Sequence, residues 1–481
     1  MDAAKTEAFV EKMFEDSIMP KLIEYVKIPN KSPNFDPDWA KHGYMDEAVE
    51  LALDWVKAQP VKGMKAEIVR KDDFTPLLFI EVEGTGDDAA KDDTILLYGH
   101  LDKQPEFTGW EEGLGPWKPV IRDNKLYGRG GADDGYAVFS SLAAIMALQE
   151  QGIPHSRCVL VIECCEESNS VGLTEYIDHL KDRIGEPSLV VCLDAGCGNY
   201  EQLWVTTSLR GNIVGKLRAD VLTEGVHSGM ASGITASSFR VLRELLDRIE
   251  DTETGAIKVD EMNVEIPENR KAEAKHAAKV MGKDADQGLP FVDGMKPMSD
   301  DPYELVLNNT WRPMLAVTGQ DGMPDLGMAG NTLRPYTTLK LSFRTPPTVD
   351  AGKAARAIEK AINDTPALYG AKASFEADSA ASGWDAPAVE DWLHESMNNA
   401  SHQYFNKDVV YWGMGGSIPF MGMLAEKFPE SQFIVTGLLG PKSNAHGPNE
   451  FMHIPMAKKL TCCVANVIGD HYHRGEKAKA A

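Results

Sequence analysis

Short apolar runs alternate with amphipathic stretches along the first part of the chain. Polar turns bound four such runs, which lie at residues 77–82, 94–98, 159–163 and 189–193. Continuous apolar runs of this length are typical of strands buried on both faces, so they predict an α/β sheet. Helical periodicity predicts helices at residues 7–26, 46–58, 137–148 and 173–180. Pro20 should kink or divide the first of these helices.

The pattern changes after Arg210. Apolar and polar residues alternate at residues 213–219 and 338–343, as they do in half-exposed strands. Amphipathic helices are predicted at residues 237–249 and 351–362. Between the helix at residues 237–249 and the strand at residues 338–343, the chain is polar. Residues 268–301 are rich in Lys, Asp and Gly and predict a helix with long loops. Together these elements predict a small α+β layer.

The buried-strand pattern returns past Trp384. An amphipathic helix carries Val389, Trp392 and Met397 on one face, and a late strand is predicted at residues 433–437. We therefore predict one α/β domain formed by residues 1–209 and 380–481, interrupted by an inserted domain at residues 210–379.

Composition adds limits on size and partners. The chain has 481 residues, which is too long for a single core and predicts two or three domains. The apolar fraction of 43% supplies enough material for a large core. A formal net charge of −24 repels phosphate backbones, so nucleic acid is not an expected partner.

Cysteine usage and hydropathy indicate where the protein works. No run approaches the roughly 20 apolar residues that cross a bilayer, and no secretory signal is visible at the start. The seven cysteines are odd in number and mostly lie in apolar runs, which favours buried, reduced thiols over disulfides. We expect a cytoplasmic protein with no membrane partner.

Five residues in or after these runs carry metal-binding chemistry. They are His100, Asp133, Glu167, Asp194 and His446. Each alone has an ordinary explanation, such as a helix N-cap for Asp133 or a solvated loop for Glu167. Together, two histidines and three carboxylates suit two divalent ions that share one bridging carboxylate. Open α/β sheets place such sites at the carboxyl ends of strands.

Two neighbours of these residues suggest supporting roles. Asp102 lies two positions after His100 and could hold the second imidazole nitrogen of that histidine. Glu166 precedes Glu167, and two adjacent glutamates at a strand end repel each other unless a cation lies between them. One of the pair can bind metal while the other takes a proton from water.

The sequence resembles a family of dinuclear zinc metallopeptidases over nearly the whole chain. That family includes carnosinases, cytosolic nonspecific dipeptidases, glutamate carboxypeptidases and succinyl-diaminopimelate desuccinylases. The matching segments are Tyr98-Gly99-His100-Leu101-Asp102, Tyr127-Gly128-Arg129-Gly130 through Asp133, Glu166-Glu167-Ser168, Asp194, His227-Ser228-Gly229, Arg344, Gly415-Gly416-Ser417-Ile418-Pro419 and His446. The Gly109-Trp110-Glu111 segment and the length of the insertion look closest to the carnosinase-like dipeptidases.

The resemblance implies a mixed-sheet catalytic domain sandwiched by helices, with an inserted α+β lid and dimerisation domain. Residues 1–209 and 380–481 would form the catalytic domain, and residues 210–379 would form the lid. It implies two Zn²⁺ ions per subunit, although the ligands also suit Mn²⁺ and Co²⁺. It also implies a homodimer formed through the lid.

The resemblance assigns a role to each matching residue. His100 and Asp194 would hold one metal, Glu167 and His446 would hold the other, and Asp133 would bridge them. The peptide bond from Asp133 to Asp134 is expected to be cis. Glu166 would be the general base and then the acid, and Asp102 would support His100.

The resemblance also assigns substrate contacts. His227 would reach the other subunit's site and stabilise the developing oxyanion. Arg344 would bind the substrate's C-terminal carboxylate. Gly415, Gly416 and Ser417 would let backbone N–H groups approach the substrate closely.

The implied reaction is metal-dependent hydrolysis of the amide bond of dipeptides or similar small peptides with a free C-terminal carboxylate. An N-acyl amino acid deacylase and a glutamate-type carboxypeptidase remain alternatives, and a non-catalytic metal-binding protein is a more distant one. Two segments depart from the family pattern: Gly135-Tyr136 replace a frequent Lys-Gly, and Gly413-Met414 replace a frequent Arg-Glu. Because of both departures, the sequence does not determine which substrate side chains the protein accepts.

Overall fold

The four apolar runs form strands of one six-stranded sheet. The computed structural model describes residues 1–86 and 92–480. The strands lie in the spatial order Met64–Val69, Leu77–Val82, Arg157–Glu163, Thr94–His100, Pro187–Cys192 and Gln432–Val435. Leu77–Val82 is antiparallel to both of its neighbours, and the other pairs are parallel. The predicted α/β class is confirmed, and the sheet is mixed.

Both faces of this central sheet are covered, which explains why its strands are apolar at successive positions. In the middle strand, Ile95 and Leu97 belong to one core, whereas Leu96 and Tyr98 belong to a second core on the opposite face. Successive side chains of a strand point to opposite faces, so a strand between two cores needs apolar residues throughout.

Helices supply the other side of each core. Outside residues 210–379, the described parts of the chain contain the helices Ala3–Met13, Met19–Val26, Trp39–His42, Tyr44–Lys57, Tyr136–Glu150, Leu173–His179, Lys181–Ile184, Asp391–Phe405, Pro419–Lys427 and Ile454–Ala480. The predicted first helix is divided by a π-helical turn, Phe14–Ile18, which ends two residues before Pro20. Proline lacks the N–H that a regular helix would use, which accounts for the break.

The alternating segments form a second, four-stranded antiparallel sheet. Its strands lie in the order Met314–Asp321, Tyr336–Thr345, Gly211–Asp220 and Lys372–Ala381. The helices Ser238–Asp247 and Ala351–Asn363 cover one face, and their core includes Ile213, Leu341 and Phe343. Every second residue of Gly211–Asp220 is buried, because the other face of the strand is only partly covered.

Part of the predicted insertion packs against the first domain. The helices Glu268–Met281 and Pro302–Thr310 contact the strand Val410–Met414, and Ala277 and Val306 join the larger core. The helix Glu268–Met281 buries mainly alanines, so its sequence looks polar although one face is covered. The predicted boundaries, 209/210 and 379/380, remain a prediction.

Smaller sheets complete the fold. A three-stranded sheet contains Trp384–Asp385, Trp204–Leu209 and Val410–Met414, a second contains Phe451–His453, Lys125–Tyr127 and Val120–Arg122, and a two-stranded ribbon pairs Val226–His227 with Thr332–Leu333. A short helix, Ser228–Ala231, follows the ribbon. All seven cysteines are buried and free, as predicted. Among the described residues, no helix combines the length and apolar character that crossing a membrane requires.

Candidate active site

Two of the predicted ligands, His100 and Asp194, lie at one edge of the central sheet. His100 is the last residue of its strand and pairs in register with Glu163, the last residue of the adjacent parallel strand. Asp194 comes two residues after the strand Pro187–Cys192. Parallel strands end at the same edge, and therefore their following residues meet there.

A first group of possible metal ligands surrounds the imidazole of His100. Its Nε2 atom is 3.3 Å from Oδ1 of Asp133 and 3.7 Å from Oδ1 of Asp194. Nε2 is buried and has no hydrogen-bond partner among the described residues. A buried nitrogen facing two carboxylate oxygens, with no hydrogen bond, fits a metal ligand.

A second group shares Asp133 with the first. Nε2 of His446 is 3.0 Å from Oδ2 of Asp133 and 3.4 Å from Oε2 of Glu167. Oε1 of Glu167 is buried without a hydrogen-bond partner among the described residues. The two oxygens of Asp133 therefore face different groups, and the peptide bond from Asp133 to Asp134 is cis.

Asp102 organises the turn that carries the two glutamates. Its Oδ1 and Oδ2 accept hydrogen bonds from the backbone N–H groups of Glu166 and Glu167, each at 3.0 Å. Nδ1 of His100 is 3.2 Å from the carbonyl oxygen of Asp102 and 3.4 Å from Oδ1 of the same residue. One buried side chain thus positions the Glu166–Ser168 turn and contacts the imidazole.

The electrostatics of the site fit bound cations. Burial opposes protonation of His100, but the carboxylates around it, led by Asp194, raise its pKa well above the usual value. Burial raises the pKa of Asp194 to about 6. Burial and the Asp194 carboxylate raise the pKa of Glu166, while burial and Asp133 raise that of Glu167. Carboxylates this close repel one another, and divalent ions would relieve the repulsion.

A buried ion pair that the sequence did not reveal joins the two ligand loops. Nη1 of Arg129 donates to Oε2 of Glu450, and both side chains are at most 1% exposed. Nη2 of Arg129 donates to the carbonyl oxygen of Gly447 at 2.9 Å, and N–H of Gly130 donates to Oε1 of Glu450 at 2.9 Å. Burial raises the pKa of Glu450 to about 7, against the opposing effect of Arg129. Arg129 lies in a segment that matches the family, but nothing in the sequence paired it with Glu450.

Both departures from the family pattern lie against the Asp194 loop. The hydroxyl of Tyr136 donates to the carbonyl oxygen of Leu193, and N–H of Gly196 contacts the sulfur of Met414 at 3.2 Å. A Cβ atom at Gly135 would lie 2.2 Å from the ring of Tyr25, so a side chain there would require its surroundings to shift. The two segments therefore support the loop that carries a metal-ligand candidate.

Arg344 lies beside a second arginine. Its Nη1 donates to Oγ of Ser417 at 3.0 Å, and Oγ of Ser417 donates to the carbonyl oxygen of Arg210 at 2.6 Å. Nε of Arg210 donates to the carbonyl oxygen of Gly415 at 3.0 Å, and its backbone N–H donates to the carbonyl oxygen of Gly416 at 3.2 Å. Burial, followed by the charge of Arg344, lowers the pKa of Arg210 to about 10. Arg210 was not predicted as a site residue.

His227 lies apart from the two ligand groups within one subunit. It is exposed at the end of the two-stranded ribbon, and its Nδ1 accepts a hydrogen bond from N–H of Gly229 at 3.1 Å. His227 belongs to neither group of possible metal ligands among the described residues. Its predicted reach into a second subunit stays a prediction.

Residues 96–470 match the family described as Peptidase family M20/M25/M40. The chain belongs to this family. The match includes all five candidate ligands and spans well over half of the chain. The chain is accordingly a hydrolase of the metallopeptidase class, and the resemblance inferred from its motifs is confirmed.

Relatives match the M20 chain over most of its length. A cysteinylglycine-S-conjugate dipeptidase of Corynebacterium striatum is 27% identical over 456 residues, which cover 90% of this chain and 92% of the relative. The structure of the dipeptidase Dug1p of Saccharomyces cerevisiae matches with a TM-score of 0.75 at 19% identity, covering 98% of this chain and 99% of that chain. An M20 metallo-carboxypeptidase of Sulfolobus solfataricus matches with a TM-score of 0.74 at 20% identity, covering 94% and 99%. This chain has the same fold as both of these structures.

Proposed function

We propose that the chain hydrolyses the peptide bond of dipeptides, or of similarly small peptides with a free C-terminal carboxylate, with two divalent metal ions. One observation carries the proposal. The carboxylate of Asp133 turns one oxygen toward His100 and the other toward His446, so a single residue belongs to two ligand groups. A bridging carboxylate of this kind suits a dinuclear centre.

We assign the ligands from these groups. His100 and Asp194 would hold one ion, Glu167 and His446 the other, and Asp133 would bridge them. Imidazole and carboxylate ligands suit Zn²⁺, Mn²⁺ or Co²⁺, and we propose Zn²⁺. Such ions supply Lewis-acid activation of a water molecule and of the carbonyl group to be cut.

Glu166 would move the proton. It would take a proton from the attacking water and pass it to the leaving amine, as a general base and then a general acid. The hydrogen bond from its backbone N–H to Asp102 supports this role, because it fixes the backbone from which the Glu166 side chain extends. Asp102 would act as a positioning residue for Glu166 and for His100.

Substrate would be bound at the edge of the inserted layer. Arg344 would bind the C-terminal carboxylate, since no acidic residue pairs with it among the described residues. Gly415, Gly416 and Ser417 would contact the substrate backbone. His227 would stabilise the oxyanion in a partner subunit's site, in a homodimer formed through a lid at residues 210–379. We propose a cytoplasmic protein with small peptides as substrates, and no nucleic acid or membrane partner.

The choice of dipeptides is supported by the Corynebacterium striatum dipeptidase, which matches over 90% of this chain. The test is a panel of dipeptides assayed with metal-reconstituted protein, with a chelator-treated control. We expect hydrolysis that the chelator abolishes and metal restores. Each dipeptide is compared with its N-acetylated form, because a dipeptidase recognises the free amine and a deacylase does not.

Two outcomes would replace the proposal. Preferential hydrolysis of the N-acetylated forms would favour an N-acyl amino acid deacylase. Activity confined to substrates with a C-terminal glutamate would favour a glutamate-type carboxypeptidase. Metal binding without hydrolysis of any substrate in the panel would contradict the enzymatic proposal.

A further inference from the structure

A cavity of about 320 Å³ opens beside Arg210, and none of the candidate metal ligands lines it. Its volume is near the lower end of the range for small-molecule sites, about 300–1,000 Å³, and suits one side chain better than a long peptide. The wall is mostly apolar, and its apolar side chains include Leu289, Phe291, Met295, Met298, Leu305 and Met314.

The cavity is continuous with the proposed carboxylate-binding residues. Arg210 lines it and donates to Gly415, while Oγ of Ser417 connects Arg210 to Arg344. Met314 also lines it and lies directly opposite Arg344 in the register of the inserted sheet. If Arg344 binds the C-terminal carboxylate of the substrate, the side chain of the substrate's C-terminal residue would therefore lie next to the cavity.

Glycines allow this approach between the two domains. A Cβ atom at Gly415 would lie 2.6 Å from the side-chain oxygen of Asn309, another residue of the cavity wall. A Cβ atom at Gly413 would lie 2.7 Å from Oγ of Ser208 and 2.8 Å from the side chain of Thr310. Gly413 thus lets the strand Val410–Met414 approach Thr310, the residue after Asn309 of the cavity wall.

The chemistry of the wall favours a neutral apolar occupant. Asp286 and Lys296 both line the cavity, so they contribute opposite charges. Arg210 already donates to the carbonyl oxygens of Gly415 and Asn308. Leu289 remains 59% exposed, and an occupant that covers it would remove apolar surface from water. The methionines can adapt their shape to different apolar side chains.

We propose that this cavity receives the side chain of the substrate's C-terminal residue and selects dipeptides in which that residue is apolar. Leucine, methionine and phenylalanine are the side chains that fit this chemistry. The inference rests on the proposed dipeptidase function, because Arg344 must bind the adjacent carboxylate.

The experiment compares kcat/KM for Ala-Leu, Ala-Met, Ala-Gly, Ala-Asp and Ala-Lys with the metal-loaded protein. We expect Ala-Leu and Ala-Met to exceed Ala-Gly and Ala-Asp by about tenfold or more, since apolar contacts discriminate by about 10–200-fold. Leu289→Glu should lower the ratio of Ala-Leu to Ala-Gly by about tenfold and should favour Ala-Lys relative to Ala-Leu. A mere folding defect would not reverse a preference in this way.

Val292 offers the matched control. It lies in the same loop and is 76% exposed, but it is not among the residues that line the cavity. Val292→Glu adds the same charge and should leave every ratio unchanged. Equal kcat/KM for Ala-Leu and Ala-Gly, or equal effects of both variants, would overturn the subsite and leave the dipeptidase proposal standing. Failure to hydrolyse any dipeptide would overturn both.

Discussion

Replacing Arg129 with methionine should weaken metal binding as well as stability. Arg129 is 1% exposed, and its guanidinium donates to Glu450 and to the carbonyl oxygen of Gly447, the residue after His446. The substitution keeps an unbranched side chain but removes the charge and these hydrogen bonds. The loop that carries His446 therefore loses an anchor to the loop that carries Asp133.

The magnitude follows from the burial of the pair. Removing one partner of a buried ion pair costs about 3–5 kcal/mol, because the other charge is left uncompensated. Glu450 would keep the hydrogen bond from Gly130, which contributes about 1 kcal/mol. The pKa of Glu450 is already raised to about 7 by burial, so without Arg129 the carboxyl group can take up a proton. We therefore expect a loss near 3 kcal/mol in the free energy of unfolding.

Metal affinity is the readout that separates positioning from stability. Loss of a supporting contact around a metal ligand lowers affinity by about 10–100-fold. Competition with a chromophoric chelator at pH 8 measures this affinity, and urea unfolding of the chelated protein measures stability. Arg270→Met is the control: Arg270 is 5% exposed and pairs with Asp385 at 2.8 Å and Glu273 at 2.9 Å.

We expect the Arg270→Met variant to lose stability and to keep its metal affinity, since its partners, Glu273 on the same helix and Asp385 in the strand Trp384–Asp385, are not candidate metal ligands. The Arg129→Met variant should lose both. Wild-type metal affinity in the Arg129→Met variant would refute the reasoning, and so would an equal fall in both variants.

Three further predictions concern the proton-transfer group, its support and a buried histidine. Glu166→Gln should retain metal but lose about 10²–10⁴-fold in kcat, and near-normal steady-state turnover would contradict the base assignment. In Asp102→Asn, only one side-chain oxygen remains to accept the hydrogen bonds from the backbone N–H groups of Glu166 and Glu167. Metal affinity should therefore fall about 10–100-fold. An unaltered affinity in the same competition assay would contradict the supporting role of Asp102. Burial, then the charge of Arg474, lowers the pKa of His471 to about 3, against about 6.5 when unfolded, so its contribution to stability is complete above pH 6.5 and declines toward pH 3. The urea midpoint should therefore fall less between pH 8 and pH 5 in His471→Gln than in the wild type, and an equal fall would count against this account.

Apolar patterning predicted the buried strands, including the edge strand Gln432–Val435, and failed for edge strands with exposed positions. Residues 94–98 are apolar at nearly every position because each face of that strand contacts a core. Met64–Val69 is an edge strand with exposed and half-buried positions, and Met314–Asp321 is mostly exposed, so neither produces an apolar run. The C-terminal helix Ile454–Ala480 was not predicted, although its first half is largely buried.

The candidate ligands could be named from the sequence because their chemistry is local. Each is a histidine or a carboxylate that follows a strand or lies in a turn, and their order along the chain matches a family pattern. The ion pair of Arg129 and Glu450 could not be named in this way. Its partners are 321 positions apart, and only packing brings them together.

By itself, the sequence determined the types of the candidate ligands, the buried strands of the central sheet and the presence of an inserted α+β layer. The tertiary structure decided which oxygen of Asp133 faces which histidine, and how Arg210 meets Arg344 beside a cavity. The physical reason is the sequence separation of the residues involved. Periodicity and strand ends depend on neighbouring residues, whereas the orientation of a carboxylate and the shape of a cavity depend on contacts between distant segments.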